Sequence, residues 1–286
     1  MPASLGMFLR MVKFEHTVFG LPFVLMGGVL AAGGLPTART LFWMVMAAAG
    51  ARNFAMTLNR FADRDIDPKN PRTQDRAEFQ GLLASGRVWG MMAAFLGLFL
   101  LSAWMLNPLA FALSFVVVGA TVFYSYSKRF TSWTHLFLGF VLGCAPAGAW
   151  VAVRGELGWA PVLLFAGVTL WVGGFDIIYA CLDVEFDKAE GLHSLPRRLG
   201  PGPALALSAL AHAGTVACFA AAGWRLGLGL LYWLGLAGAA GLLAWEHWIV
   251  RPDDLRRVNL SFFNLNAWVS VIVSAGAILD VFLPVG

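Results

Sequence analysis

Polar side chains four residues apart form two runs in this sequence: Asn59, Asp63 and Asp67, and Tyr179, Asp183 and Asp187. Residues at this spacing lie on one face of a helix, so each run predicts a stripe of oxygen atoms. Neighbouring carboxylates repel one another, and a divalent cation removes that repulsion. Mg²⁺ is usually bound by one or two carboxylates together with substrate phosphates. The spacing therefore predicts two halves of a magnesium site that faces a phosphorylated substrate.

Further charged residues extend this prediction. Asp176 precedes Asp183 by seven residues and continues the second stripe inward along an apolar segment. An ionisable side chain within an apolar span is by default a hypothesis for a functional site. Four basic residues are predicted on the same side and suit phosphate charge: Arg72, Arg76, Lys128 and Arg198. A diphosphate whose tail lies in lipid describes a polyprenyl diphosphate, which is the predicted substrate class.

The composition excludes most soluble classes of protein. The chain has 286 residues, of which 59% are hydrophobic and only 13% are charged. An average soluble domain carries roughly a quarter charged residues. The three cysteines, Cys144, Cys181 and Cys218, have no metal-ligand spacing and form no disulfide framework. The formal net charge of +4 is modest, and no nucleic-acid partner is predicted.

Charge-free stretches predict the elements that must position these residues. A membrane helix needs about 20 mostly apolar residues. The longest uncharged stretch breaks at Asn107-Pro108, a strong turn signal. The predicted spans, nine in all, are 13–33, 39–62, 87–106, 109–127, 133–153, 158–182, 203–224, 226–248 and 258–282. We therefore expect an all-α polytopic membrane protein whose nine helices surround a central cavity, as a single domain over residues 1–286.

The distribution of basic residues predicts the orientation in the membrane. Cytoplasmic loops are enriched in Lys and Arg. A cytoplasmic N-terminus, with Arg10 and Lys13, places most basic residues inside and leaves only Arg39, Arg154 and Arg225 outside. Four helices separate the two acidic runs, so both runs face the same side. The predicted location is the inner (plasma) membrane, with the active-site loops in the cytoplasm.

These motifs resemble those of the UbiA superfamily of intramembrane aromatic prenyltransferases. That family carries N-D-x-x-D-x-x-x-D after its second helix and a Y-x-x-x-D-x-x-x-D relative after its sixth. Here the first reads Asn59, Arg60, Asp63, Asp67, and the second reads Tyr179, Asp183, Asp187, preceded by Asp176. A third similarity is Tyr124 with Lys128, which fits Y-x-x-x-K, and Asn70-Pro-Arg72-Thr73 resembles the basic segment that follows the first motif. The resemblance covers nearly the whole chain.

One departure and one longer similarity refine this resemblance. Arg60 replaces the first acid of the family pattern, and Asp65 is a candidate substitute. The segments 14–17 and 183–196 resemble the branch called 4-hydroxybenzoate polyprenyltransferase-like, which includes the menaquinone enzymes that prenylate 1,4-dihydroxy-6-naphthoate in the futalosine route. The resemblance thus implies an aromatic acid acceptor and leaves open whether it is a benzoate or a naphthoate, that is, ubiquinone or menaquinone biosynthesis.

The resemblance also implies a mechanism and roles for residues. Mg²⁺ on Asp63, Asp67, Asp183 and Asp187 neutralises the leaving diphosphate, the allylic C1–O bond ionises, and the aromatic ring attacks the carbocation. A base then takes the ring proton, with Asp183 and Asp176 both as candidates. The residues expected to bind substrate are Asn59, Arg72, Arg76, Tyr124, Lys128, Tyr179 and Arg198.

Two further residues carry separate hypotheses. Arg52 lies about two turns before Asn59 and is expected to act in catalysis by pairing with the acceptor's carboxylate. A structural pair with Asp176 or with a helix-end carbonyl is the alternative for Arg52. His135, at the start of the fifth span, is assigned to the membrane interface.

Two other classes of function stay open. A cation transporter would use acids as its pathway, but the acidic runs stop at the membrane edge. The second class is a polyprenyl-lipid-binding protein that has lost catalysis. This class stays possible because Arg60 replaces an acid of the family pattern. In the simplest interpretation the acids are exposed loop residues, although the matched spacing of the two runs argues against that.

Overall fold

The structure, a computed structural model, describes residues 17–84, 86–258 and 264–284. Within these ranges the chain is helical and contains no β-strand beyond an isolated bridge between Arg251 and Asp254. Arg10 and Lys13, which helped to predict the orientation, lie outside the described residues, as does most of the 14–17 segment. The expected all-α fold is confirmed.

The described part of the chain contains nine helices of 16 residues or more. In chain order they are α1 (Thr17–Ala32), α2 (Ala38–Ala62), α3 (Arg87–Leu106), α4 (Pro108–Ser127), α5 (Thr134–Arg154), α6 (Trp159–Ala180), α7 (Pro201–Leu226), α8 (Leu230–Ile249) and α9 (Asn266–Phe282). Six of them, α2 to α7, are long and apolar enough to cross a membrane. Each corresponds to one predicted span, and most bounds agree within about two residues.

The turn predicted at Asn107-Pro108 separates α3 from α4. The Asn107 side chain accepts a hydrogen bond from the backbone N–H of Ala110 at 2.8 Å, which caps α4. Pro108 suits the first position of a helix because its missing N–H would have no partner there. The Asn107 amide also donates to the carbonyl of Val151 at 2.8 Å, which fixes this turn against the end of α5.

Buried apolar clusters hold the bundle together, and two of them together involve most of its helices. The larger core contains Phe23, Trp171, Phe219, Tyr232 and Val273, from α1, α6, α7, α8 and α9. The second core lies between α2 and α3 and is built on residues such as Phe54, Val88 and Met92. Helix α5 packs against α1, α4 and α6. As a result, the ends of α2, α4, α5 and α6 meet at one end of the bundle.

Large apolar side chains cover much of the outer surface. Leu210 is 69% exposed and Trp224 is 81% exposed, and many similar residues lie along the other helices. Soluble monomers rarely expose contiguous apolar surface of this extent. Lipid is the environment that such a surface requires, which agrees with the predicted integral membrane protein.

The contact between α5 and α6 depends on a close approach of their backbones. A Cβ atom on Gly139 would lie 2.1 Å from the carbonyl oxygen of Thr169. Only a glycine allows this distance, and small residues at such contacts are typical of membrane helices. Because α5 and α6 each carry part of the polar cluster described below, this approach helps to set its geometry.

We expect Gly139→Ala to lower the free energy of unfolding by about 1–3 kcal/mol, because the added methyl group overpacks the contact. Gly148→Ala is the matched control in the same helix, since a Cβ there meets nothing within 4 Å. Thermal unfolding of both variants in detergent, followed by size-exclusion chromatography, measures the difference. Equal melting temperatures would contradict the packing described for α5 and α6.

Candidate active site

The first acidic run lies where α2 ends, and it is not one continuous helix. Helix α2 ends at Ala62, and Asp63 caps it by donating its backbone N–H to the carbonyl of Asn59 at 3.0 Å. The N–H of Asp67 bonds to the carbonyl of Asp63 at 2.8 Å, which retains one helical turn. The predicted stripe therefore keeps its common face, although Pro68 and a short 3₁₀ segment replace the expected last turn.

The second acidic run leaves α6 in a similar way. After Ala180 the chain forms a 3₁₀ turn, Cys181–Asp183, and then a short helix, Val184–Ala189. Asp187 lies in that short helix and is buried. The two runs approach each other because the ends of α2 and α6 meet at the same end of the bundle.

One cavity of about 200 Å³ contains both runs. The predicted site residues that line it are Asn59, Asp63, Asp67, Arg72, Arg76, Tyr124, Lys128, Asp176, Tyr179, Asp183 and Asp187. Residues of helix ends and loops that are far apart in sequence thus form one polar cavity at the end of an apolar bundle. This arrangement excludes the interpretation of the two runs as separate exposed loops.

Asp63 is paired with the basic residues that follow α4. The Lys128 Nζ lies 2.6 Å from Oδ2 of Asp63, and Nη1 of Arg129 lies 3.5 Å from Oδ1. Burial raises the pKa of the Asp63 carboxyl above its ordinary value, and the positive charge of Lys128 opposes this shift. The backbone carbonyl of Lys128 also accepts from the N–H of His193 at 2.7 Å. Lys128 is therefore held between the two acidic segments.

Asp67 is paired with Arg76, and Arg60 lies close to it. The Arg76 Nη1 lies 2.8 Å from Oδ1 of Asp67, and Nη1 of Arg60 lies 3.6 Å from Oδ2. The Arg60 side chain is only 4% exposed. Asp65, the suggested substitute for the acid that Arg60 replaces, is 79% exposed, pairs weakly with Arg64 and does not line the cavity. Arg60 thus adds a buried positive charge beside the first acidic run.

Asp183 is held by a fork of hydrogen bonds from the loop after α2. The Arg72 Nε donates to Oδ1 at 2.9 Å and its Nη2 donates to Oδ2, while the Asn70 amide donates to Oδ1 at 2.9 Å. The Arg72 guanidinium also lies 4.4 Å from the centre of the Tyr179 ring. Burial lowers the pKa of Arg72, but its hydrogen bonds to Asp183 and the negative charge of that residue outweigh burial and raise it overall.

The remaining two acids are bound by residues of other elements. The Ser194 hydroxyl donates to Oδ2 of Asp187 at 2.6 Å. Nδ1 of His135 lies 2.7 Å from Oδ2 of Asp176. His135 is buried and lines the cavity, so its assignment to the membrane interface was wrong. The His135 ring, at the start of α5, pairs with a carboxylate of α6. Residue spacing within one segment does not reveal such a pair.

The donor set is suited to Mg²⁺ when a phosphorylated substrate is also present. Over the described ranges, no three His, Cys, Asp or Glu side chains lie close enough together to hold a metal ion by themselves. The four carboxylates supply only oxygen donors from two segments that face one cavity. Mg²⁺ prefers such donors and fills its remaining positions with water and phosphate oxygens.

Two predicted residues do not line this cavity. Arg52 is half-buried in α2, about 10 Å along the helix axis from Asn59 at 1.5 Å per residue. Arg198 lines a neighbouring pocket of about 420 Å³, which shares His193 and Ser194 with the cavity. Neither position tests the roles expected for these two residues.

Sequence reasoning gave no role to several side chains that organise the site, although Asn70 lies in the segment that resembles the family's basic segment. Asn70, Arg129 and His135 each bond one of the acids, but none belongs to a run with a recognisable period. Their common signal is a polar residue beside a predicted helix end on the same side as the two acidic runs. That signal selects a group of candidates and does not assign the pairs.

Comparison with known proteins settles the family. The profile of the UbiA prenyltransferase family matches residues 20–268. This chain belongs to the UbiA prenyltransferase family. The predicted enzyme class and the prediction of an integral membrane protein are confirmed, and the family resemblance found in the motifs is correct.

Individual relatives of this UbiA family member agree with the assignment. The chain is 31% identical over 282 residues to the 4-hydroxybenzoate octaprenyltransferase of Shewanella sediminis, and the match covers 96% of each chain. The apo structure of a UbiA homolog from Aeropyrum pernix K1 superposes with a TM-score of 0.83 and 37% identity, covering 93% of this chain and 98% of that one. A UbiA homolog from Archaeoglobus fulgidus bound to DMAPP and Mg²⁺ has a TM-score of 0.66 and 21% identity, over 93% and 99% of the two chains, and shares the fold.

The fork between Arg72 and Asp183 generates a prediction. We expect Arg72→Lys to reduce prenyl transfer about 10- to 100-fold, because an ammonium cannot make the paired contacts and one charge-assisted hydrogen bond is worth about 1.5–3 kcal/mol. Arg64→Lys is the control on the same segment, because its half-buried side chain pairs with neither acidic run and does not line the cavity. Steady-state rates in lipid nanodiscs measure both, and a similar loss in the two variants would contradict the role of the fork.

Proposed function

We propose that this protein transfers the polyprenyl group of a polyprenyl diphosphate to the ring of an aromatic acid, with 4-hydroxybenzoate as the acceptor. The observation that carries the proposal is the meeting of Asp63, Asp67, Asp183 and Asp187 in one cavity at the end of an apolar bundle. The Shewanella sediminis relative, a 4-hydroxybenzoate octaprenyltransferase similar along nearly its whole length, supports the choice of acceptor.

The donor's diphosphate would bind between the two acidic runs. The four carboxylates would hold Mg²⁺, and the Archaeoglobus fulgidus homolog bound to DMAPP and Mg²⁺ supports this cofactor. When bound, Mg²⁺ supplies a Lewis acid that neutralises charge on a leaving diphosphate. In the structure Lys128, Arg76 and Arg72 each pair with one of these carboxylates. A metal that takes the carboxylates leaves these cations available for phosphate oxygens.

The apolar surroundings of the site suit a carbocation. The prenyl tail would lie against the apolar helices, while Tyr124 and Tyr179 line the cavity beside the acids. Removing water protects an allylic cation from hydrolysis until the aromatic ring attacks. Asn59 would help to place the diphosphate, and Asp183 or Asp176 would take the ring proton.

The two arginines outside the cavity take proposed roles at its borders. Arg52 would pair with the carboxylate of the acceptor, since its planar guanidinium matches a carboxylate in a bidentate contact. Arg198 would attract diphosphate from the neighbouring pocket.

We further propose one domain over residues 1–286 with nine membrane spans, a cytoplasmic N-terminus and a cytoplasmic active site. Basic residues lie beside both acidic runs, and this supports the orientation because cytoplasmic loops are enriched in Lys and Arg. In this topology the loop between α5 and α6 lies outside the cell and the loop after α6 lies inside.

Cysteine labelling tests the topology. In a chain whose Cys144, Cys181 and Cys218 are replaced by alanine, we expect Glu156→Cys to react with a membrane-impermeant maleimide in intact cells. Lys188→Cys should react only after the membrane is permeabilised, because the charged reagent cannot cross it. The reverse labelling pattern would contradict the proposed orientation.

A transfer assay tests the function. Purified protein in lipid nanodiscs, supplied with labelled geranyl diphosphate, Mg²⁺ and 4-hydroxybenzoate, should form a prenylated ring. We expect Asp183→Asn to reduce product formation by about 100-fold or more, since one interaction that stabilises the leaving group is lost. Chelation of Mg²⁺ should stop the reaction, and its return should restore it.

The same assay distinguishes the alternatives. Preference for 1,4-dihydroxy-6-naphthoate, the acceptor that the resemblance of segment 183–196 leaves open beside the benzoate, would assign the protein to menaquinone biosynthesis. Diphosphate release that depends on Asp183, without a prenylated product from either acceptor, would retain the donor site and reject both acceptors. No chemistry with short or long donors would favour a lipid-binding protein that has lost catalysis.

A further inference from the structure

His135 joins the part of the cavity near α6 to the segment that carries Asp187. Its Nδ1 lies 2.7 Å from Oδ2 of Asp176. Its Nε2 accepts a hydrogen bond from the backbone N–H of Leu195 at 3.4 Å. The preceding residue, Ser194, donates its hydroxyl to Asp187. The His135 imidazole therefore links the Asp176 carboxylate, in α6, to the start of the short helix Leu195–Leu199.

These two contacts assign the tautomer of the imidazole. A nitrogen that accepts a backbone N–H carries no proton, so Nε2 of His135 is unprotonated. The proton of the neutral ring then lies on Nδ1 and is donated to Asp176. The side chain of His135 is almost fully buried, which leaves the ring one orientation.

Asp176 and Asp183 differ in their freedom to accept a proton. Both oxygens of Asp183 accept hydrogen bonds from Asn70 and Arg72 in the structure, and under the proposed function they would hold Mg²⁺ when the donor is bound, so neither state leaves Asp183 available for a proton. Among the described residues, the carboxylate of Asp176 is bonded by His135 alone, through Oδ2. Its side chain is 19% exposed and lines the cavity, so Oδ1 is open to a bound molecule.

We infer that Asp176 is the base that takes the ring proton of the aromatic acceptor and that His135 is the positioning residue that holds it. This inference rests on the proposed function and deepens it by choosing between the two candidate bases. It also gives His135, which does not belong to either acidic run, a role in the reaction.

The proton step balances within the site. After the ring attacks the prenyl cation, the attacked carbon carries both the new C–C bond and its original hydrogen. That C–H bond breaks, its electron pair restores the aromatic ring, and the proton goes to Oδ1 of Asp176. The carboxylic acid returns the proton to water when the product has left. His135 keeps its Nδ1 proton throughout and fixes Oδ2, so that Oδ1 faces the ring.

A kinetic isotope effect measures this step directly. The wild-type enzyme is assayed at saturating 4-hydroxybenzoate, either unlabelled or deuterated at the ring carbons beside the hydroxyl. We expect an isotope effect on kcat near unity, because a well-placed base removes the proton faster than the other steps. In His135→Ala the base is misoriented, so kcat should fall about 10-fold or more, an isotope effect above about 2 should emerge, and the donor KM should stay unchanged.

Matched variants separate positioning from simple structural damage. His135→Asn retains a donor near the position of Nδ1 and should restore kcat toward wild type and the isotope effect toward unity. His193→Ala removes another histidine of the cavity, one whose side chain makes no contact with Asp176, and should show no isotope effect. Asp176→Asn keeps the shape of the side chain and removes the base, so kcat should fall about 10²- to 10⁴-fold with the same isotope effect.

The outcomes decide the inference. An isotope effect that stays at unity in His135→Ala, whatever the loss of rate, would overturn it. If His135→Ala does not elute as a folded protein, the isotope effect in Asp176→Asn is the deciding measurement. An isotope effect of unity in that variant would likewise overturn the inference. Failure of the proposed function is distinguishable, because in that case the wild-type enzyme itself forms no prenylated product.

Discussion

The free-energy cost of removing charged side chains from water determines how the polar residues are arranged at the end of this bundle. Asp63, Asp67 and Asp187 are buried beside an apolar interior, where an uncompensated carboxylate is destabilising by several kcal/mol. Arg76 and Ser194 bond Asp67 and Asp187 from within the same segments, whereas two cations reach an acid of another segment: Lys128 bonds Asp63, and Arg72 bonds Asp183. The loop after α2, the end of α4 and the segment after α6 are therefore held together by charge. A protein that must bind a diphosphate in lipid needs such a cluster, since the same cations and carboxylates can redistribute around phosphate and metal.

The helices provide the rigidity that this cluster requires. Helices α5 and α6 approach closely at Gly139, and both carry polar groups of the cavity. His135 at the start of α5 and Asp176 in α6 meet because of that contact. The two acidic runs are likewise brought together by the positions of α2 and α6. The packed apolar helices thus determine distances between residues that are far apart in the sequence, while their outer surfaces are left for lipid.

The UbiA fold in this chain carries one change in its first motif. Arg60 stands where the family pattern has an acid, and it is buried next to Asp67. It adds a fixed positive charge at a position where the pattern has a negative one. Arg76 bonds the same carboxylate, so Asp67 has two cationic neighbours. This first run is more positive than the family pattern implies, which favours binding of an anionic diphosphate.

The sequence by itself determined the helices, most of their boundaries and the two acidic runs, because apolar length and four-residue spacing are local properties of the chain. It also indicated the family, since the motifs are local too. The partner of each acid was decided only by the tertiary structure. The basic partners are far from their carboxylates in sequence. His135 and Asp176 are 41 residues apart, and Arg72 and Asp183 are 111 residues apart; the separation of Lys128 and Asp63 lies between these values. Periodicity contains no information on such pairs, because they depend on which helix ends the packed bundle brings together.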